Sequence, residues 1–126
     1  MDELRTGVAE CDDIPHERVG AAERAAQRDK FTRMQLERAA TLFSAVSDPG
    51  RLKIIALLLD HEHCVGDLAE ALDEELSTVS ARLRLLRIHG LVKRRRDGKH
   101  LWYSVADEHV VGLMRSAIEH AAESQP

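Results

Sequence analysis

A mainly α-helical fold with one small β-hairpin is predicted by three features of the sequence. Apolar residues recur at helical spacing from about Thr32 to Ile88 and again beyond Asp107. Only the stretch from Leu91 to Val105 breaks that period, and it reads as two short strands around a turn. The segments are separated by specific punctuation: Ser47-Asp48-Pro49, Asp73 to Leu76, Gly90, Asp97-Gly98 and Asp107. A chain of 126 residues that is 44% hydrophobic holds one modest core, which excludes a large multidomain enzyme.

In chain order, residues 1 to about 16 lack apolar periodicity and are expected to form an arm that carries Cys11 and His16. Glu17 to Lys30 is Ala-rich, charged and helix-compatible, so residues 1–30 are expected to be an arm with a helical extension. Residues 31–124 make up the main domain. Its first helix runs from about Thr32 to Val46, with Met34, Leu36, Leu42 and Phe43 giving much of the apolar face. Ser47-Asp48-Pro49 supplies a capping side chain and a proline at the first helical position, ahead of the apolar run ending at Leu59.

After the polar break Asp60 to His63, Val65, Leu68, Ala69 and Leu72 mark a short helix. Asp73 to Leu76 then form a tight turn, and Ser77 is expected to cap the next helix. In that helix Val79, Leu83 and Leu86 face the core, with the polar and basic residues mostly outside the stripe. Gly90 stops it. Two short helices joined by a turn, the second apolar inside and basic outside, are a helix-turn-helix signal. The strands around Asp97-Gly98 would be its wing, packed on the helices through Leu91, Leu101 or Tyr103. Asp107 is expected to cap a last helix, about Glu108 to Glu123, whose Val110, Val111, Leu113, Met114, Ala117, Ile118 and Ala121 cover more than one stripe and call for a partner.

The formal net charge of −4 conceals an asymmetry. Between Ser77 and Tyr103, Arg82, Arg84, Arg87, Lys93, Arg94, Arg95, Arg96 and Lys99 face a single acid, Asp97, so this stretch carries +7 and the rest −11. A basic surface inside an acidic chain is an aimed site for a polyanion. Aromatic residues are only 3%, which argues against stacking on single-stranded nucleic acid. The longest apolar run, Ile54 to Leu59, is far below the roughly 20 residues of a spanning helix, and the acidic N-terminus has no signal core. The expected setting is therefore cytoplasmic, without membrane. Two cysteines are too few for a disulfide scaffold.

The last helix bears the sharpest chemistry. His109 and His120 are 11 residues apart, about 20° beyond three full turns, so they share a face but stand about 16 Å apart along the axis. One ion cannot take both from one helix, because metal–imidazole bonds are about 2 Å. An antiparallel second copy removes the difficulty by setting Asp107 and His109 of one subunit beside His120 and Glu123 of the other. Two such sites per homodimer, each with two imidazoles and two carboxylates, suit Zn(II), with Co(II) as a substitute. All four positions would be filled by protein, which leaves none for the water of a catalytic zinc and argues against an enzyme. A second metal site is expected from Cys64 and Asp67, at i, i+3, with Cys11 and His16 of the arm. Its thiolates suit Cd(II) and Pb(II) as well as Zn(II).

The segment SAVSDPGRLKIIALLL…HCVGDLAEAL…LSTVSARLRLLRIHGLVKRRRDGKHLWYSVADEHVVGLMRSAIEHAAE resembles the ArsR/SmtB family of winged helix-turn-helix, metal-sensing repressors over about 80 residues, Ser44 to Glu123. The resemblance implies a homodimer through the first and last helices and an inter-subunit zinc site at Asp107, His109, His120 and Glu123. The family's other site falls on Cys64 and Asp67, with Cys11 and His16 as arm ligands. Cys64-Val65-Gly66 lacks the second cysteine of the arsenite and cadmium/lead sensors, and the Cys11 to His16 spacing is one residue longer than in the zinc-sensing branch. The Ser77 to His89 helix would enter the major groove of double-stranded operator DNA. Ser77, Thr78, Ser80 and Arg82 would lie near base edges or phosphates, Arg84 on a phosphate, and Arg94, Arg95, Arg96 and Lys99 in wing contacts. Ala81 stands where many relatives carry a polar residue.

The expected function is a repressor that binds its operator without metal and releases it with Zn(II), derepressing efflux or sequestration genes. His120, with one nitrogen on the metal, is expected to use the other N–H on a main-chain carbonyl near His89 or Gly90. The alternatives are a thiol redox sensor using Cys11 and Cys64, a cadmium/lead sensor using the arm site, and a dimer in which zinc is only a staple.

Overall fold

A computed structural model of the chain describes residues 19–123. Its elements in order are α1 (Ala21–Arg28), α2 (Arg33–Ala45), α3 (Pro49–Leu58), β1 (His63–Cys64), α4 (Val65–Leu72), α5 (Leu76–Ile88), β2 (Val92–Asp97), β3 (His100–Val105) and α6 (Glu108–Glu123). The chain divides into two compact units between Gln35 and Leu36. In the first, α1 buries no residue, as its charged, Ala-rich sequence requires. The start of α2 is set by a reciprocal cap: Gln35 N–H donates to Thr32 Oγ1 at 3.0 Å, and Thr32 N–H donates to Gln35 Oε1 at 2.8 Å.

The second unit is a winged helix-turn-helix, mostly helical with a small antiparallel sheet. Asp48 caps α3 by accepting the Arg51 N–H at 3.0 Å, and Pro49 opens the helix, where its missing N–H costs nothing. Arg51 also donates from Nε to the Ala45 carbonyl at 2.6 Å, so one side chain closes the end of α2 against the start of α3. The core joins Ile54, Ile55 and Leu58 of α3 to Leu68 and Ala69 of α4 and to Val79, Leu83 and Leu86 of α5. Burying each of these larger side chains contributes about 1.5–3 kcal/mol.

Both helix-turn-helix elements end in the same hydrogen-bonded stop. After α4, Asp73 takes φ +53, and the N–H groups of Asp73 and Glu74 donate to the carbonyls of Glu70 and Ala69. After α5, Gly90 has φ +72, and the N–H groups of Gly90 and Leu91 donate to Arg87 and Leu86. Leu91 and Val92 thereby enter the core directly. The wing packs on the helices through Leu91, Tyr103 and the partly buried Leu101, as expected, with Val92 and Val105 beside them.

Three local expectations shift. The polar break holds a two-residue strand: His63 and Cys64 pair with Tyr103 and Trp102, giving sheet order β1-β3-β2. Helix α5 begins at Leu76 with Glu75 in the cap position, so Ser77 lies inside the first turn and does not cap. The hairpin loop is Gly98-Lys99, one residue beyond Asp97-Gly98, because Asp97 pairs with His100. Gly98 at φ +61 occupies the first loop position, where a two-residue turn of the II′ kind needs glycine.

Candidate metal half-site and nucleic-acid surface

Asp107 starts α6 by accepting the Val110 N–H on Oδ1 at 3.0 Å. The cap and the first turn set its carboxylate beside the His109 ring, with Asp107 Oδ1 and His109 Nδ1 3.7 Å apart. The His109 side chain is 99% exposed, so apart from its contact with Asp107 this imidazole is presented to solvent. His120 and Glu123 are exposed at the other end of the helix, and His120 makes no side-chain hydrogen bond among the described residues. By helical spacing His109, Leu113, Ser116, His120 and Glu123 fall on one face. All five are exposed, while Val110 and Met114 point into the core.

No group of three metal-ligating side chains comes together among the described residues. One copy therefore holds two separate donor pairs, Asp107 with His109 and His120 with Glu123, along one face of α6. The carboxylate and imidazole donors suit a divalent borderline ion such as Zn(II), once a second copy supplies the other half. In the second expected site, Cys64 is half-buried in β1 and precedes α4, and Asp67 is exposed in that helix's first turn. Cys11 and His16 lie outside the described residues.

On α5 the exposed stripe is Ser77, Ser80, Ala81, Arg84 and Ile88. Thr78 and Arg82 are half-buried along its edge. Arg82 donates to Glu74 and forms an ion pair with it. In the wing Arg95 donates to Glu62 through Nε at 3.1 Å and stacks at 6.0 Å from the Trp102 ring centre. The Arg95 hydrogen bond, against a smaller opposing effect of burial, holds the Glu62 carboxyl below its ordinary value, and Glu62 raises Arg95 in return. Arg94 reaches the Tyr103 hydroxyl at 3.4 Å. Arg84, Arg96 and Lys99 make no side-chain hydrogen bond or ion pair among the described residues, so these cations are uncommitted.

Sequence reasoning missed Gly50, Glu62 and Glu74, which decide which arginines are free. Glu62 and Arg95 are 33 residues apart, and only the pairing of β1 with the wing brings them together. An acid in the turn eight residues before Arg82 was the one signal open to inspection for Glu74.

The model of the bacterial regulatory proteins of the arsR family matches residues 48–94, from the cap of α3 to the start of the wing. The transcriptional repressor SmtB homolog of Synechocystis is 43% identical over 101 residues, covering 80% of this chain and 76% of that protein. The chain belongs to the arsR family of bacterial regulatory proteins. Within that family it is also 42% identical over 85 residues to the cadmium resistance transcriptional regulatory protein CadC homolog of Staphylococcus aureus, covering 67% of this chain and 70% of the relative. Among solved structures it is similar to the homodimeric winged helix-turn-helix DNA-binding domain of Mb0332 from Mycobacterium bovis. The TM-score is 0.69 at 34% identity, with 71% of this chain and 83% of the other covered. The arsR model ends before α6, while the match to the SmtB homolog spans 101 residues, and the candidate metal ligands of α6 rest on their own geometry.

Proposed function

We propose that this chain is a metal-responsive transcriptional repressor, acting in the cytoplasm as a homodimer through residues 31–124. The metal-free dimer binds a pseudo-palindromic operator, and Zn(II) releases it, derepressing genes for metal efflux or sequestration. The observation that carries this reading is the pair of half-sites on α6: a 99% exposed His109 beside Asp107 at one end, and exposed His120 and Glu123 on the same face at the other. The exposed Leu113 between them, with exposed Leu36 and Phe43 on α2, gives a second copy an apolar surface to cover.

Zinc, when bound, supplies a positive centre that these carboxylates and neutral imidazoles can share between subunits. Asp107 and His109 of one subunit orient toward His120 and Glu123 of the other, fixing the angle between the two copies of α6. The two recognition helices then no longer match successive major grooves. Release requires that metal favour this arrangement over the operator-bound one, and DNA must weaken metal binding by the same factor. His120 is the coupling residue, through its second ring nitrogen and a main-chain carbonyl near His89 or Gly90. Ser77, Ser80 and Arg84 face the groove, with Thr78 at the stripe's edge and Arg94, Arg95, Arg96 and Lys99 on the backbone.

Fluorescence anisotropy of the metal-free protein on DNA from its own promoter, titrated with Zn(II) at fixed salt, tests the reading. Release of the wild type, with His120→Asn binding zinc yet staying on DNA, is the expected result. Wild type that binds that DNA equally well with and without zinc would contradict it. Similarity to a protein named for cadmium resistance supports a second reading, in which the Cys64 and Asp67 site with Cys11 and His16 responds to Cd(II) or Pb(II). Loss of response in Cys64→Ser but not in His109→Ala would favour it.

A further inference from the structure

Arg82 lies on α5 beside the outward stripe, where a cation would ordinarily be assigned to DNA. Its guanidinium is instead engaged within the chain. It pairs with Glu74 of the turn between α4 and α5 and lies over the first turn of α3 at Gly50. A Cβ at position 50 would sit 2.7 Å from Arg82 Cζ and 2.8 Å from Nη2, so the absence of a side chain at Gly50 is what makes room for this placement. The Arg82 side chain is 26% exposed and that of Glu74 35%, so both are partly withdrawn from water and neither projects beyond the stripe. Around them the turn carries Asp73 and Glu75 as well, and Glu70 lines the same surface cleft. Left unpaired, Glu74 would add to this negative cluster beside the phosphates.

We propose that Arg82 is the internal counter-ion of the helix-turn-helix turn and not a DNA ligand, and that Glu74 is the positioning residue that keeps it off the phosphates. The proposal rests on the operator-binding reading above. By holding Arg82 on Gly50, Glu74 withholds one cation from the phosphate backbone, the part of the duplex that carries no sequence information. A phosphate contact is made alike to operator and to non-specific duplex, so withholding one cation lowers both affinities by about the same factor and makes both less steeply salt-dependent. Base reading is left to the stripe of Ser77, Ser80, Ala81 and Arg84.

The test is the salt dependence of binding to a promoter duplex and to a scrambled duplex of equal length, for wild type, Glu74→Gln and the charge-neutral double variant Glu74→Gln/Arg82→Gln. Circular dichroism melts establish that each variant is folded. Glu74→Gln is expected to free Arg82, steepening the slope of log K against log salt by about 0.9 and tightening scrambled-duplex binding by up to about tenfold at 0.1 M salt. Promoter-duplex binding should tighten by about the same factor, leaving the ratio of the two affinities unchanged. The double variant should return to the wild-type slope. A double variant whose slope is shallower than wild type by about 0.9 would show Arg82 on a phosphate and overturn the proposal while leaving the repressor reading intact. Glu74→Gln indistinguishable from wild type would overturn it equally. Wild type that binds neither duplex overturns both readings.

Discussion

Helices α5 and α6 have similar lengths, 13 and 16 residues, and each carries an apolar and a polar side, but they are completed differently. In α5 the central apolar stripe is used up: Val79, Leu83 and Leu86 are wholly buried, and what faces outward is small, polar or basic apart from Leu76 and Ile88 at the two ends. In α6 only Val110 and Met114 are buried, and Leu113 remains outside on the face that carries His109 and His120. The proposed DNA-facing surface is thus finished within one chain, while the proposed metal-binding surface is half of a site. The proposed sensor needs this division, because a signal that changes how two copies meet must act where neither copy is complete alone.

The largest effect that would sharpen the contrast is in the core. Leu83→Ala is expected to lower unfolding free energy by about 2–5 kcal/mol in urea titration, since the side chain has no exposed surface and its neighbours span three helices. Leu113→Ala should leave the urea midpoint of the dissociated chain almost unchanged and instead weaken dimerisation in sedimentation equilibrium. Next in size, His109→Ala should erase the zinc effect on operator affinity, a coupling of about 1–3 kcal/mol, while metal-free DNA binding stays as in wild type. Loss of DNA binding without metal would break the separation of the two surfaces.

Asp107 tests the comparison more finely because it has two duties on α6. Asp107→Asn retains a good cap and should melt like wild type, whereas Asp107→Ala should lose about 1 kcal/mol. Both should bind zinc more weakly, measured by competition with a chelator. The smallest effect belongs to the uncommitted wing cations. Arg96→Ala or Lys99→Ala should make the salt slope shallower by about one without altering sequence preference.

What could be read from the sequence was mostly local. Asp48-Pro49 and Asp107 announce their helices because a cap is a contact over three residues, and both caps form as expected. The i, i+4, i+7 stripe of α5 and the stop at Gly90 are equally local. Strand β1 was not readable: two residues carry no period, and their pairing with Tyr103 and Trp102 exists only because β3 arrives some 40 residues later. The hairpin loop moved by one residue because Gly98 is needed at the first loop position, and the shift sets Arg95 opposite Trp102. Ser77 lost the capping role because α5 starts one residue before it. Arg82 was read as a DNA contact from its charge and place on the helix. Its pairing with Glu74, and the room left for it at Gly50 32 positions away, are not legible from the helix alone. The candidate metal donors are identifiable as residue types at a spacing, and the structure adds that one chain leaves them exposed and apart.

The central claim, that each metal site is shared between two subunits, is tested most directly by complementation in a Cys64→Ser background that removes the other site. His109→Ala and His120→Ala homodimers are prepared separately, unfolded together and refolded as mixed dimers selected by two different tags, and zinc is counted by equilibrium dialysis. Each variant homodimer should bind no zinc at α6. The mixed dimer should recover one zinc per dimer, because one of its two sites regains both imidazoles while the other loses both. A mixed dimer as empty as its parents would contradict the shared site, and so would either parent homodimer that still binds two zinc ions.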